Sequence, residues 1–100
     1  MTFMRDHVEY LDQDEIAVWR AVRKLTKAGR AGNNSQIARD TGLPATRVAK
    51  ITRYLHARSY LTDTSRNGGS YHWRTTGKTA RSYREQPEYA TEQAGVIYPS

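Results

Sequence analysis

The chain has no cysteine. That excludes a disulfide framework and thiolate metal sites, and it fits a reducing compartment. Long apolar runs are missing too. None approaches the ~18 residues of a membrane-spanning helix. Met1 to Tyr10 is polar and lacks the apolar core of a signal peptide. These absences predict a soluble, cytoplasmic protein with no membrane partner.

Acidic residues are scarce in the middle of the chain. Residues 16–84 hold fifteen of the sixteen Lys and Arg residues, against Asp40 and Asp63 alone. The acids collect at the ends: Asp6, Glu9, Asp12, Asp14 and Glu15 before that stretch, Glu85, Glu88 and Glu92 after it. A basic body of this kind attracts polyanions at long range. With 100 residues the chain makes one small domain with one core.

Catalytic chemistry finds no foothold. His7, His56 and His72 lack metal-ligand spacing. Ser35, Ser59, Ser65 and Ser70 sit in no nucleophile motif. Gly68-Gly69 lies between two β-prone runs and not before a helix, so it makes a hairpin turn and not a phosphate cradle. Asp12, Asp14 and Glu15 form a helix start, and Trp19 and Trp73 are core residues. The expectation is a protein without enzymatic activity, cofactor or metal.

Leu11-Asp12-Gln13-Asp14-Glu15-Ile16 has the pattern of a capping box with a hydrophobic staple. A first helix follows to about Ala28, with Val18, Trp19, Val22 and Leu25 on its buried face. Gly29 and Arg30-Ala31-Gly32-Asn33 stop it. Asn33 or Asn34 caps a second helix, Ile37 and Ala38 face inward, and Gly42 ends it. Pro44 opens a third helix, about residues 45–58, with Val48, Ile51 and Leu55 inside. "YLTDT" and "YHWRT" then read as two strands around an Asn67-Gly68-Gly69 turn, anchored by Leu61, Tyr71 and Trp73. Thr76 starts a predicted fourth helix from Gly77 to about Gln86, ended by Pro87. The fold class is mainly α with a small β-hairpin. The divisions are an N-terminal arm (1–9), a domain (10–86) and a C-terminal tail (87–100).

A helix-turn-helix needs a small residue in its first helix, glycine in the turn, and apolar residues where the second helix meets the core. Ala38, Gly42, Val48 and Ile51 meet these needs at the expected spacing. Thr46, Arg47, Lys50 and Arg53 are left on the outer face, free to enter a major groove. Arginine there can bond guanine bidentately, and threonine can touch a thymine methyl.

The chain thus resembles the winged helix-turn-helix superfamily, in particular small MarR-like and ArsR-like regulators. "SQIARDTGLPATRVAKITRYLHARSYL", "SRNGGS" and "YHWRTTGKTAR" carry the likeness, over about residues 10–86. The resemblance implies a three-helix core, a two-stranded wing and a C-terminal helix. It implies binding to double-stranded DNA as a transcriptional regulator. The recognition helix at about 45–58 would lie in the major groove, and the wing at about 60–75 near the minor groove or backbone. Ala45, Thr46, Arg47, Lys50 and Arg53 become the groove residues. Arg66 and Asn67 belong at the wing tip, and Ser35 and Arg39 on the phosphates, with Arg20, Arg23 or Lys24 flanking. The chain departs from the family at Ser59, where glycine usually precedes the wing, and it lacks long terminal helices and any effector motif.

A short half-site suggests a homodimer through the terminal segments. Phe3, Met4, Val8, Tyr10 and Leu11 offer apolar contact at one end; Tyr83, Tyr89, Val96, Ile97 and Tyr98 offer it at the other. Alternative readings are a winged-helix protein-interaction or replication module, or a single-stranded nucleic-acid binder using Tyr54, Tyr71 and Tyr83.

Overall fold

The computed structural model describes residues 10–65 and 70–82. Three helices, α1 (Gln13–Lys27), α2 (Asn34–Thr41) and α3 (Ala45–Ala57), precede the strands β1 (Leu61–Asp63) and β2 (Trp73–Thr75). The strands form an antiparallel pair in which Leu61 faces Thr75 and Asp63 faces Trp73. The molecule is therefore mainly helical with a two-stranded hairpin.

Each helix start is written locally. Asp12 Oδ1 accepts from the Glu15 N–H at 2.8 Å, and Glu15 Oε1 accepts from the Asp12 N–H at 3.0 Å. This capping box satisfies two donors that the helix cannot pair internally. Asn33 Oδ1 does the same for the Gln36 N–H at 2.8 Å, without the reciprocal bond. Pro44 opens α3 with no side-chain cap.

The core runs through all five elements. Val18 and Val22 of α1, Ile37 of α2, Val48 and Leu55 of α3, and Leu61 and Trp73 of the hairpin are buried together. Each fully buried aliphatic contributes about 1.5–3 kcal/mol. Ile16 and Leu11 join the same cluster, as the staple predicts. That burial corrects one expectation. Leu11 is 1% exposed and unavailable to a partner subunit.

Asn34 is the polar pin of this core. Its Oδ1 accepts from Thr52 Oγ1 at 3.0 Å and from Trp73 Nε1 at 2.8 Å. One side chain thus joins α2, α3 and β2. Gly32 adds a second tie: its N–H donates to the Trp73 carbonyl at 3.0 Å and its carbonyl accepts from the Trp73 N–H at 2.7 Å. A Cβ at Gly32 would collide with Leu25 Cδ1. The segment expected merely to stop α1 therefore also pairs with the open edge of β2.

Two residues leave helices with positive φ. Gly42 ends α2 at φ 78°, and its N–H donates to the Ala38 carbonyl at 2.8 Å. Ser59 follows α3 at φ 68°. Ser59 therefore keeps the left-handed exit that glycine would adopt at lower cost.

The predicted fourth helix does not start at Gly77. Residues 77–82 are non-helical. Thr76 Oγ1 donates to the Ser59 carbonyl at 2.6 Å and accepts from the Lys78 N–H at 3.1 Å. Arg81 then gives its carbonyl to the Leu11 N–H at 2.8 Å, and Ser82 bridges Leu11 in parallel. The bond from Leu11 takes the Arg81 carbonyl, which a helix would use in its own ladder. The Asn67-Gly68-Gly69 turn, Tyr83 to Gln86, the arm 1–9 and the tail 87–100 lie outside the described residues.

Tyr71 is also not the anchor expected. It is 53% exposed and stacks outward on Trp73 at 4.9 Å between ring centroids.

Two predictions follow from these geometries. Asn34→Ala leaves the Trp73 indole N–H buried without an acceptor, at a cost of about 1–3 kcal/mol. Thermal melting should drop by roughly 5–15 °C for a domain of this size. An unchanged melting temperature would show that the shared acceptor is not structural. Ser59→Gly and Gly42→Ala should move in opposite directions. The first relieves, and the second imposes, a left-handed penalty of about 1 kcal/mol. No atom lies within 4 Å of a Cβ at Gly42, so alanine there brings strain without a clash. Paired melting curves check the signs.

Candidate nucleic-acid interface

Helix α3 has two unlike faces. Val48, Ile51, Thr52 and Leu55 are buried at helical spacing. Ala45, Thr46, Arg47, Lys50, Arg53 and Tyr54 are exposed. No Asp or Glu occurs anywhere in α3. The placement follows from the tight turn before it. Gly42 reverses the chain, Leu43 packs on the core, and Pro44 sets the helix start.

Arg47 is not free. Its Nε donates to Asp14 Oδ2, in the first turn of α1, at 3.1 Å. Their side chains keep 47% and 38% of their exposure, so solvent screens the pair and it contributes about 0–1 kcal/mol. Lys50 and Arg53 make no hydrogen bond or ion pair among the described residues. Just past the end of α3, the Arg58 guanidinium lies 4.7 Å from the Tyr54 ring centroid.

Beside this face, α2 and the hairpin enclose a cleft of about 250 Å³ lined by Asn33, Asn34, Ser35, Ser70 and Tyr71. Ser35 and Arg39 are both exposed on α2. A smaller hollow of about 100 Å³ reaches inward between Arg53, His56, Tyr71 and Trp73. His56 Nδ1 lies 3.0 Å from the Leu61 carbonyl, which can only accept, so this nitrogen carries a proton in that bond. The His56 ring also tilts against Trp73 at 5.3 Å.

The turn end of the hairpin is held by Asp63. Its carboxylate accepts from the Ser65 N–H at 3.0 Å, the His72 N–H at 3.1 Å and Ser65 Oγ at 3.0 Å. The Ser65 N–H is the main cause of a pKa below the ordinary aspartate value, followed by the His72 N–H.

On the other side of the molecule's first two helices, Arg20, Lys24 and Arg30 share a groove with Asp40. Its volume is about 710 Å³, and Ala17, Ala21 and Ala28 contribute to its walls. Arg23 lies over the Trp19 ring at 5.3 Å. Among the described residues no cluster of His, Cys, Asp or Glu could hold a metal ion, and no helix is long and apolar enough to cross a membrane.

The groove residues expected from sequence thus lie together on α3, and Ser35 and Arg39 lie exposed on α2. Arg66 and Asn67 lie outside the described residues. Sequence reasoning missed the Asp14 partner of Arg47, the Asn34 pin and the outward stack of Tyr71. Asp14 and Arg47 are 33 residues apart, and no local pattern pairs them. No family model, curated protein or solved structure matches the chain.

The Asp63 geometry makes a pH prediction. Its folded pKa is lowered, so its contribution is complete above the ordinary aspartate value. The contribution is lost as pH falls through the lower folded value. Hydrogen exchange at the Ser65 and His72 amides should accelerate in Asp63→Ala relative to the parent at neutral pH. Unchanged protection at both amides would contradict the assigned role.

Proposed function

We propose that this chain is a winged helix-turn-helix protein that binds double-stranded DNA sequence-specifically and regulates transcription. The single observation that carries the reading is the outer face of α3, where Thr46, Arg47, Lys50 and Arg53 stand exposed on a helix free of acidic residues. A helix about 10–12 Å across fits a major groove about 12 Å wide. Phosphate bonds position such a domain and base-edge bonds specify its site. Lys50, Arg53 and Arg39 suit the first role, Arg47 and Thr46 the second. The β1–β2 hairpin follows α3 in the chain and would serve as the wing, and Ser35 of α2 lines a cleft together with Tyr71.

A homodimer that presents two helices to a two-fold site goes with this reading, since one helix reads only a short half-site. The terminal segments are its proposed contact, without Leu11. A second reading is favoured by one observation. Tyr54 and Tyr71 are 39% and 53% exposed beside cationic residues, as stacking on single strands requires.

Selection from a random duplex library tests the main reading. An enriched sequence with two-fold symmetry supports both specificity and dimerisation. No enrichment, together with tight binding to unpaired strands, moves the assignment to the second reading. Affinity for the selected duplex should fall about tenfold on doubling the salt, if about four phosphates are neutralised. Lys50→Ala should weaken all duplexes similarly and reduce the salt slope by about one unit. Salt-independent binding would remove the electrostatic basis of the proposal.

A further inference from the structure

The contact between Asp14 and Arg47 carries an inference that rests on the duplex-binding reading and deepens it. We propose that Asp14 is a positioning residue that presents Arg47 to a guanine. Arg47 is the third residue of α3, at the end that a recognition helix directs toward base edges. A guanidinium has five N–H donors in a rigid plane. Asp14 Oδ2 takes the one on Nε, at 3.1 Å. The two terminal amino groups then remain as a parallel pair on the far edge of the plane. In the major groove only guanine offers two adjacent acceptors, O6 and N7, to such a pair. Adenine offers a donor at N6 and is rejected.

Asp14 is a firm support for this task. It sits in the first turn of α1, one residue beyond Gln13, inside the span closed by the Asp12–Glu15 capping box. The positive end of the helix dipole also favours its charge there. The α1–α3 packing, through Val18, Val22, Val48 and Ile51 in the common core, fixes the distance between the two backbones. An unsupported arginine samples many rotamers and must lose that freedom on binding. Tethering Nε removes part of the loss before DNA arrives.

The sign of one substitution separates this role from simple charge. A carboxylate beside DNA repels phosphates, so Asp14 acting through charge alone would weaken every duplex equally. Removing it would then tighten all binding and leave base preference intact. A positioning role predicts a split: equal or tighter binding to unrelated duplex, with lost discrimination at one base pair.

The test uses the full-length chain, the best duplex from the library selection and a copy with the critical G·C pair changed to A·T. Melting curves first establish that each variant folds. The parent should discriminate about tenfold or more between the two duplexes. Asp14→Ala should reduce that ratio to about threefold or less, without weakening an unrelated duplex. Asp14→Asn keeps an acceptor for Nε and should retain most of the discrimination. Arg47→Ala should abolish it, and Asp14→Ala added to Arg47→Ala should change the ratio no further. Full discrimination in Asp14→Ala overturns the positioning role and leaves duplex recognition standing. Full discrimination in Arg47→Ala overturns it too, because another residue then reads the guanine. A parent chain that selects no duplex overturns both proposals.

Discussion

One amide oxygen, Asn34 Oδ1, joins the parts that the rest of the structure depends on. It accepts from Trp73 Nε1 and from Thr52 Oγ1. Trp73 is 2% exposed, and its N–H finds its acceptor inside the protein. Asn34 supplies it from the first turn of α2 and takes the Thr52 hydroxyl from α3 at the same atom. The hairpin, which would be barely stable alone, is thereby bound to both helices. The paired bonds between Gly32 and Trp73 add backbone to the same joint. Helix α3 is consequently oriented by its apolar face and by a polar pin at Thr52.

That orientation decides the electrostatics of the outer face. Once Val48, Ile51 and Leu55 are inward, Lys50 and Arg53 must point out, because residues three and four apart share a side. Among the described residues, the acids lie away from this face with one exception. Asp12 and Glu15 are spent on the helix cap, Asp63 on the turn end of the hairpin, and Asp40 lies in the α1–α2 groove. Of the described acids, Asp14 reaches α3, and it meets Arg47. Among the described residues, the acid at the proposed DNA surface therefore has a defined partner there.

The left-handed exit at Ser59 illustrates a local cost accepted for a global fit. The residue is followed by Tyr60 and Leu61, both buried, and its carbonyl accepts from Thr76. Those contacts hold a conformation that serine alone disfavours. The same bond ties Thr76 to the turn before β1. Over residues 77–82 the chain is not the helix expected: the capping preference of threonine, seen in its bond from the Lys78 N–H, was legible, but its partner 17 residues earlier was not.

By itself, the sequence determined the three helices, their caps and the turn at Gly42, because these rest on contacts within four residues. It also determined which residues of α3 face outward, since helical period and polarity suffice for that. Tertiary structure alone decided the rest. Gly32 became a partner of β2, Tyr71 an outward stack, and Arg47 a partner of Asp14. Each of these depends on which atoms meet after the helices pack, at separations of up to tens of residues. No periodicity along the chain encodes such meetings. They follow from the way the core brings these elements together.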